Sequence, residues 1–179
     1  HIAENLTDLA IMVRPPTDLD TVNQPFAPHP YVIVAAPNHP LVGVPSIPLD
    51  RLMREPFVVR EKASDTWHSM EEGFGGDLSG INIAMEIRST ETIKQAVIAG
   101  MGVSFVSAHT ISQELRAGSL RVLDVEGFPL MLNWYVVHRR SKRLPPVAQA
   151  FKDFLLADGP ALISQIVPFG SPNEKERGE

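Results

Sequence analysis

Short uninterrupted apolar runs, each followed by a stretch that reads as a helix, constrain this chain more than any other feature. Strands are expected at residues 9–13, 31–36, 57–59, 81–87, 103–106, 121–125 and 131–137. Several of these are continuous runs of Val, Ile, Phe or Met. Such runs fit strands buried on both faces, as in a sheet covered by helices. Between them the spacing predicts helices over 49–54, 66–74, 90–99, 111–117 and 147–156. Strand and helix alternate for most of the length, which points to an α/β fold with a mostly parallel sheet.

The helix faces are explicit. Trp67, Met70 and Phe74 align on one face, as do Ile93, Ala96 and Val97. Val147, Phe151, Phe154 and Leu155 align after Pro145-Pro146, and Trp134, Phe151 and Phe154 read most simply as packing residues. Thr110 and Gln113 stand in capping-box spacing, with Gly118 at the expected stop. The opening, HIAENL, reads as the end of a helix running straight into a strand, which suggests a fragment with its upstream part missing. The tail GSPNEKERGE is polar and aperiodic and is expected to be disordered.

Composition removes several functions. The 179 residues suit one domain, or two small ones sharing a core, and the 44% hydrophobic content can bury that core. Lys plus Arg number 16 and Asp plus Glu 21, a net charge of -5, so this surface is a poor grip for a polyanion. Without cysteine there is no disulfide framework, thiol catalysis or thiolate metal site. Nothing resembles a signal peptide, and no apolar run approaches the ~20 residues of a membrane helix, so the cytoplasm is the default location. No G-x-S-x-G elbow or P-loop is present, and GFGGDLSG does not space its glycines as a dinucleotide fingerprint. The histidines, His1, His29, His39, His68, His109 and His138, are scattered, without metal-ligand spacing, and read as surface or capping residues. Glu71 and Glu72 point to different helix faces, a poor acid/base pair. RRSKR reads as a solvated turn rather than a nucleic-acid patch.

Three junctions are candidate sites. In STETIKQAVIAGMGVSFVS, Ser89 can cap the helix and Glu91 suits its positive end. Gly100 ends it, and Gly102 permits close chain approach. The free amides and the hydroxyls of Ser89, Thr90 and Thr92 can line a polar ligand site. The same pattern also serves any capped amphipathic helix. In REKASDTWHSMEEGF, Ser64, Asp65 and Thr66 open a helix, with Arg60 and Lys62 adding positive charge. Arg14, with Pro15 and Pro16, lies just past the carboxyl end of a strand, where open α/β sheets usually bind ligands, though a plain surface arginine fits the same position.

Taken together, LTDLAIMVRPP, PYVIVAAPNHPL, PFVVREKASDTWHSMEEGF, MEIRSTETIKQAVIAGMGVSFVSAHTISQEL and GSLRVLDVEGFPLMLNWYVVHRRSKRLPPVAQAFKDFL resemble the effector-binding region of LysR-type transcriptional regulators. The resemblance covers roughly residues 5–157 and is nearest in detail to the Cbb-type regulators of Rubisco-operon genes. It implies a type 2 periplasmic-binding-protein-like fold: two α/β lobes joined by two crossover strands, with a ligand cleft between them. The first lobe would hold residues 1–34 and 141–160, the second 35–140, with 161–179 a tail. The ligand-binding residues it implies are Arg14, Pro15, Ser64, Thr66, Ser89, Thr90 and Thr92. One departure stands out: relatives often read Ser-Gly-Thr-Arg where this chain has Ser64-Asp65-Thr66-Trp67, which weakens an anion site at that turn. The implied partners are a small-molecule effector, such as a phosphorylated sugar or nicotinamide nucleotide, further copies in a dimer or tetramer, and DNA through a domain outside this chain. No cofactor, metal, membrane or catalysis is expected. A stand-alone solute-binding protein and an enzyme on the same frame are the alternatives, separable by the upstream sequence and by turnover.

Overall fold

The computed structural model describes residues 6–166. The expected tail and the expected incoming helix end lie almost entirely outside them. The chain divides into two compact units, residues 1–29 with 132–179, and residues 30–131. It passes between them twice, each time inside a long strand: β2 (Thr21–Ala35) and β7 (Leu130–Arg139).

In the first unit, β1 (Ala10–Met12) pairs antiparallel with β7, Ala10 opposite Val137 and Met12 opposite Tyr135. Two helices complete it, α5 (Pro146–Ala157) and α6 (Gly159–Ser164). Its core gathers Phe26, Ala27, Val136 and Leu155, with Leu9, Trp134, Leu156 and Ile163 packed around them. Arg140 returns to the start of β2, its Nε donating to Asp20 at 2.9 Å. Lys142 pairs with Asp8 at 2.7 Å.

In the second unit, α1 (Leu49–Leu52) precedes β3 (Phe57–Arg60), which runs parallel to β4 (Ile83–Ile87). On its other side β3 meets the start of β5 (Ser104–Ser107) through a parallel bridge between Phe57 and Val103. The end of β2 pairs antiparallel with β5, Tyr31 opposite Ser107, and with β6 (Arg121–Val122). Helices α2 (Asp65–Gly73) and α3 (Thr90–Ile98) pack on β3 and β5, and α4 (Ser112–Ala117) follows a 3-10 turn at Ala108–Thr110. The expected helix faces are buried: Trp67 and Met70 on α2 with Phe74 at its C-cap, and Ile93, Ala96 and Val97 on α3. Aromatic contacts run from Phe57 to Phe74 and Phe128, and from Phe128 through Phe105 to Tyr31, whose ring stacks on Phe105 at 4.7 Å. Gly102 fits the expected close approach: a Cβ there would stand 2.2 Å from the Pro56 carbonyl oxygen.

Several expectations are corrected. Parallel pairing joins β3, β4 and the start of β5, with one further bridge between Ile47 and Val125, while the long strands β2 and β7 enter antiparallel. Residues 83–86 of β4 are exposed, because it is an edge strand. The Thr110–Gln113 capping box does not form. Thr110 Oγ1 instead donates to the Ser107 carbonyl at 2.7 Å, closing the 3-10 turn, and α4 has no side-chain cap. Gly118 does end α4 in the left-handed conformation. His29 and His138 are buried rather than superficial, and the His29 ring meets Trp134 edge-on at 4.1 Å. Of the apolar face of α5, Leu155 is buried, but Val147, Phe151 and Phe154 are 77%, 47% and 45% exposed. The described residues supply no element that covers them.

Candidate functional site

The carboxyl ends of β3 and β5 and the first turns of α2 and α3 meet inside the second unit. Their meeting point is a cavity of about 40 Å³ lined by Arg60, Thr66, Thr90, Ser107 and Thr110, over an apolar floor that includes Ile93 and Phe105. The arrangement follows from parallel strands feeding helices: each strand end and each helix start faces the same edge. A water needs about 10–15 Å³ on this scale, so the cavity admits a few oxygen atoms, one end of a metabolite rather than the whole.

Each hydroxyl has a definite role. Ser64 is spent on structure: its Oγ donates to the Glu61 carbonyl at 2.7 Å and accepts the Trp67 amide at 3.1 Å, capping α2. Ser89 caps α3 by accepting the Thr92 amide at 3.3 Å. Thr90 Oγ1 accepts from Arg60 Nη1 at 3.1 Å. A hydroxyl has one hydrogen, so Thr90 keeps its own for another acceptor. Thr110 has given its hydrogen to Ser107, so it offers lone pairs. Ser107 Oγ is buried and has no hydrogen-bond partner among the described residues. The amides of Asp65 and Thr66 have no acceptor within α2, and those of Thr90 and Glu91 none within α3.

The one cation in the lining, Arg60, is already matched. Glu61 receives Arg60 Nε at 2.8 Å and Nη2 at 3.0 Å, a two-point pair. The hydrogen bonds from Arg60 lower the Glu61 carboxyl to about 2, with the charges of Arg60 and Arg88 adding to the effect. The same pair holds Arg60 above its ordinary value. Lys94 ties the frame together, donating to Glu114 at 2.6 Å and to Glu91 at 2.7 Å, and reaching the Thr110 carbonyl at 3.4 Å.

Of the residues expected at a site, the structure brings Thr66 and Thr90 together in this cavity. Ser64 and Ser89 hold the helix starts beside it. Thr92 is exposed and contributes its amide to the Ser89 cap. Arg14 and Pro15 belong to the other unit. Ser107 and Thr110 were not legible as site residues, although both follow a strand run, where the strand-end rule points. A larger space of about 710 Å³ in the first unit, beside His138, Lys142, Arg143 and Gln149, is an open groove. The small cavity is the better candidate because four elements aim hydroxyls into it. Among the described residues no group of three or more His, Cys, Asp or Glu could hold a metal. No helix there is long and apolar enough to cross a membrane.

The profile of the LysR substrate binding domain matches residues 1–160. The chain belongs to the LysR substrate-binding domain family. Similar relatives of this LysR domain include the HTH-type transcriptional activator CmpR of Synechocystis sp., 44% identical over 167 residues, which are 93% of this chain and 55% of that protein. The RuBisCO operon transcriptional regulator of Allochromatium vinosum is 44% identical over 154 residues, 86% of this chain and 51% of that protein. The chain spans about half the length of the curated relatives it matches. Among solved structures, the regulatory domain of Synechocystis PCC6803 CcmR, in complex with 2-PG, superposes with a TM-score of 0.82 at 37% identity, covering 87% of this chain and 75% of that one. The effector-binding domain of QuiR, in complex with shikimate, shares the fold at 22% identity and a TM-score of 0.75, covering 88% of this chain and 74% of that one. The α/β, type 2 periplasmic-binding-protein-like fold implied by the LysR resemblance is therefore the fold of this chain.

Proposed function

We propose that this chain is the effector-sensing part of a LysR-type transcriptional regulator of CO2-fixation genes, and that an oxygen-rich acidic end of the effector enters the cavity at Arg60, Thr66, Thr90 and Ser107. The observation that carries the reading is the buried, unpartnered Ser107 Oγ among hydroxyls from separate elements. Buried polar groups are normally satisfied, and a ligand oxygen would satisfy this one. The relatives named for transcriptional and RuBisCO-operon regulation support the wider assignment. The CcmR domain solved with 2-PG makes 2-PG the first ligand to try.

The site is that of a binder. A nucleophilic hydroxyl needs a base beside it, and Ser107 has no hydrogen-bond partner among the described residues. The whole protein, on this reading, is a cytoplasmic homo-oligomer that reaches DNA through a domain outside this chain. The effector shifts a conformational equilibrium only by its differential affinity for the two states, typically ~1–3 kcal/mol. Arg14 and Pro15 are proposed as further contacts, tested by the ligand response of Arg14→Gln.

The deciding measurement is thermal unfolding of this chain with 2-PG, Calvin-cycle intermediates and nicotinamide nucleotides. A ligand at a hundred times its dissociation constant adds ~2.7 kcal/mol, which raises Tm by roughly 5–10 °C in a chain of this size. Thr66→Val and Thr90→Val should each reduce that rise. If no metabolite moves Tm, the effector reading fails; if both valine variants respond like the parent, the ligand lies elsewhere.

A further inference from the structure

Among the described residues Arg60 is the only cation in the cavity lining, and its hydrogen-bonding capacity is largely committed. A guanidinium carries five N–H groups in a planar fork. Nε and Nη2 give one each to Glu61, the two-point geometry that carboxylates and phosphates favour, and Nη1 gives one to Thr90. The face an oxyanion would prefer is occupied by the chain's own carboxylate. Charge within the lining is cancelled by its contact.

We infer that Glu61 is the cavity's internal counter-ion and sets which anions it admits: an incoming oxyanion competes with the Glu61 carboxylate for the Arg60 guanidinium. This rests on the reading of the cavity as the effector site. The geometry allows the exchange. Arg60 and Glu61 are neighbours in sequence and both side chains still reach solvent, 21% and 25% exposed, so a displaced carboxylate has water to enter. The charge of Arg88 also acts on the Glu61 carboxylate. The other nearby lysines are engaged, Lys62 over the Trp67 ring and Lys94 with Glu91 and Glu114.

The consequence is selectivity by charge. Repulsion from Glu61 grows in proportion to ligand charge, so removing it favours a dianion over a monoanion. The experiment titrates the isotope-labelled chain with sodium sulfate, and separately with sodium formate, at constant ionic strength and neutral pH. It follows the amide resonances of Thr66, Thr90 and Ser107. Glu61→Gln should tighten sulfate roughly tenfold and formate only about threefold, because the logarithm of the gain doubles with the charge. Glu61→Asp, which keeps the charge, should stay near the parent's ratio. A Glu61 that merely positions Arg60 would give the opposite sign, with Glu61→Gln weakening both anions by one factor. That result, or unchanged affinities, overturns the inference and leaves the cavity assignment standing. Absence of shifts at those amides in every protein overturns both.

Discussion

Ser107 carries a buried hydroxyl that no described residue uses, and Ser104, three residues earlier on β5, carries another. An unsatisfied buried group costs about 1–3 kcal/mol. Ser107→Ala should therefore raise stability by about 1 kcal/mol in urea unfolding while weakening the ligand response at least several-fold. Ser104→Ala should bring a similar gain with the response intact, since Ser104 does not line the cavity. Equal effects of the two variants on ligand response would remove Ser107 from the site. The Arg60–Glu61 pair makes a pH prediction. Glu61 is depressed in the folded chain, from 4.5 to about 2, so its contribution is complete above pH 4.5 and is lost as pH falls through about 2. The Tm difference between the parent and Glu61→Gln should shrink across that window and hold steady from pH 5 to 8. Thr66 and Thr90 were readable because caps announce first turns. The pairing of Arg60 with Glu61 was not: consecutive strand residues point to opposite faces. Here β3 stops at Arg60, and the turn that follows brings Glu61 back beside it.

Helices with a strong period and short apolar strands were legible, and what pairing alone decides was not. Helices α2 and α3 announce themselves by spacing and caps, and their buried faces are the expected ones. The expected strand begins only at residue 31, and the first half of β2 carries Pro25, Pro28 and Pro30, which weaken any strand signal there. Pro28 and Pro30, two apart, lack amides on the same side of the strand, which a strand tolerates where that side needs no ladder bond. Strand–helix alternation points to parallel pairing, and it holds for β3 and β4 but not for β2 and β7, the long strands that pass between the units. Lys94 shows what holds the helices in place around the cavity. Its side chain is 12% exposed, and its ammonium joins the first turn of α3 to Glu114 of α4. Lys94→Ala leaves the Glu114 carboxylate without its partner and should cost roughly 2–3 kcal/mol, somewhat below the ~3–5 kcal/mol of a fully buried pair. The double variant Lys94→Met, Glu114→Leu should recover most of that in the same unfolding measurement; failure to recover would mean the pair is not what links the helices.

Taken whole, the chain wears an apolar face that its described residues leave bare. Val147, Phe151 and Phe154 read as core from their spacing, and the spacing was right about the face but not about its cover. Val147→Lys should leave stability within about 0.5 kcal/mol, as surface changes do, and should improve solubility; a larger loss would show Val147 packed in solution. A different feature links distant parts of the second unit. The Pro56 carbonyl sits where a methyl on Gly102 would be, and Val103 and Val58 lace the two strands together just beyond. Four residues along β3 from Pro56 stands Arg60; five residues along from Gly102 stands Ser107. A single carbon added at that pinch would prise two rails apart at one end, so Gly102→Ala should widen the gauge at the other and loosen how firmly the cavity can grasp.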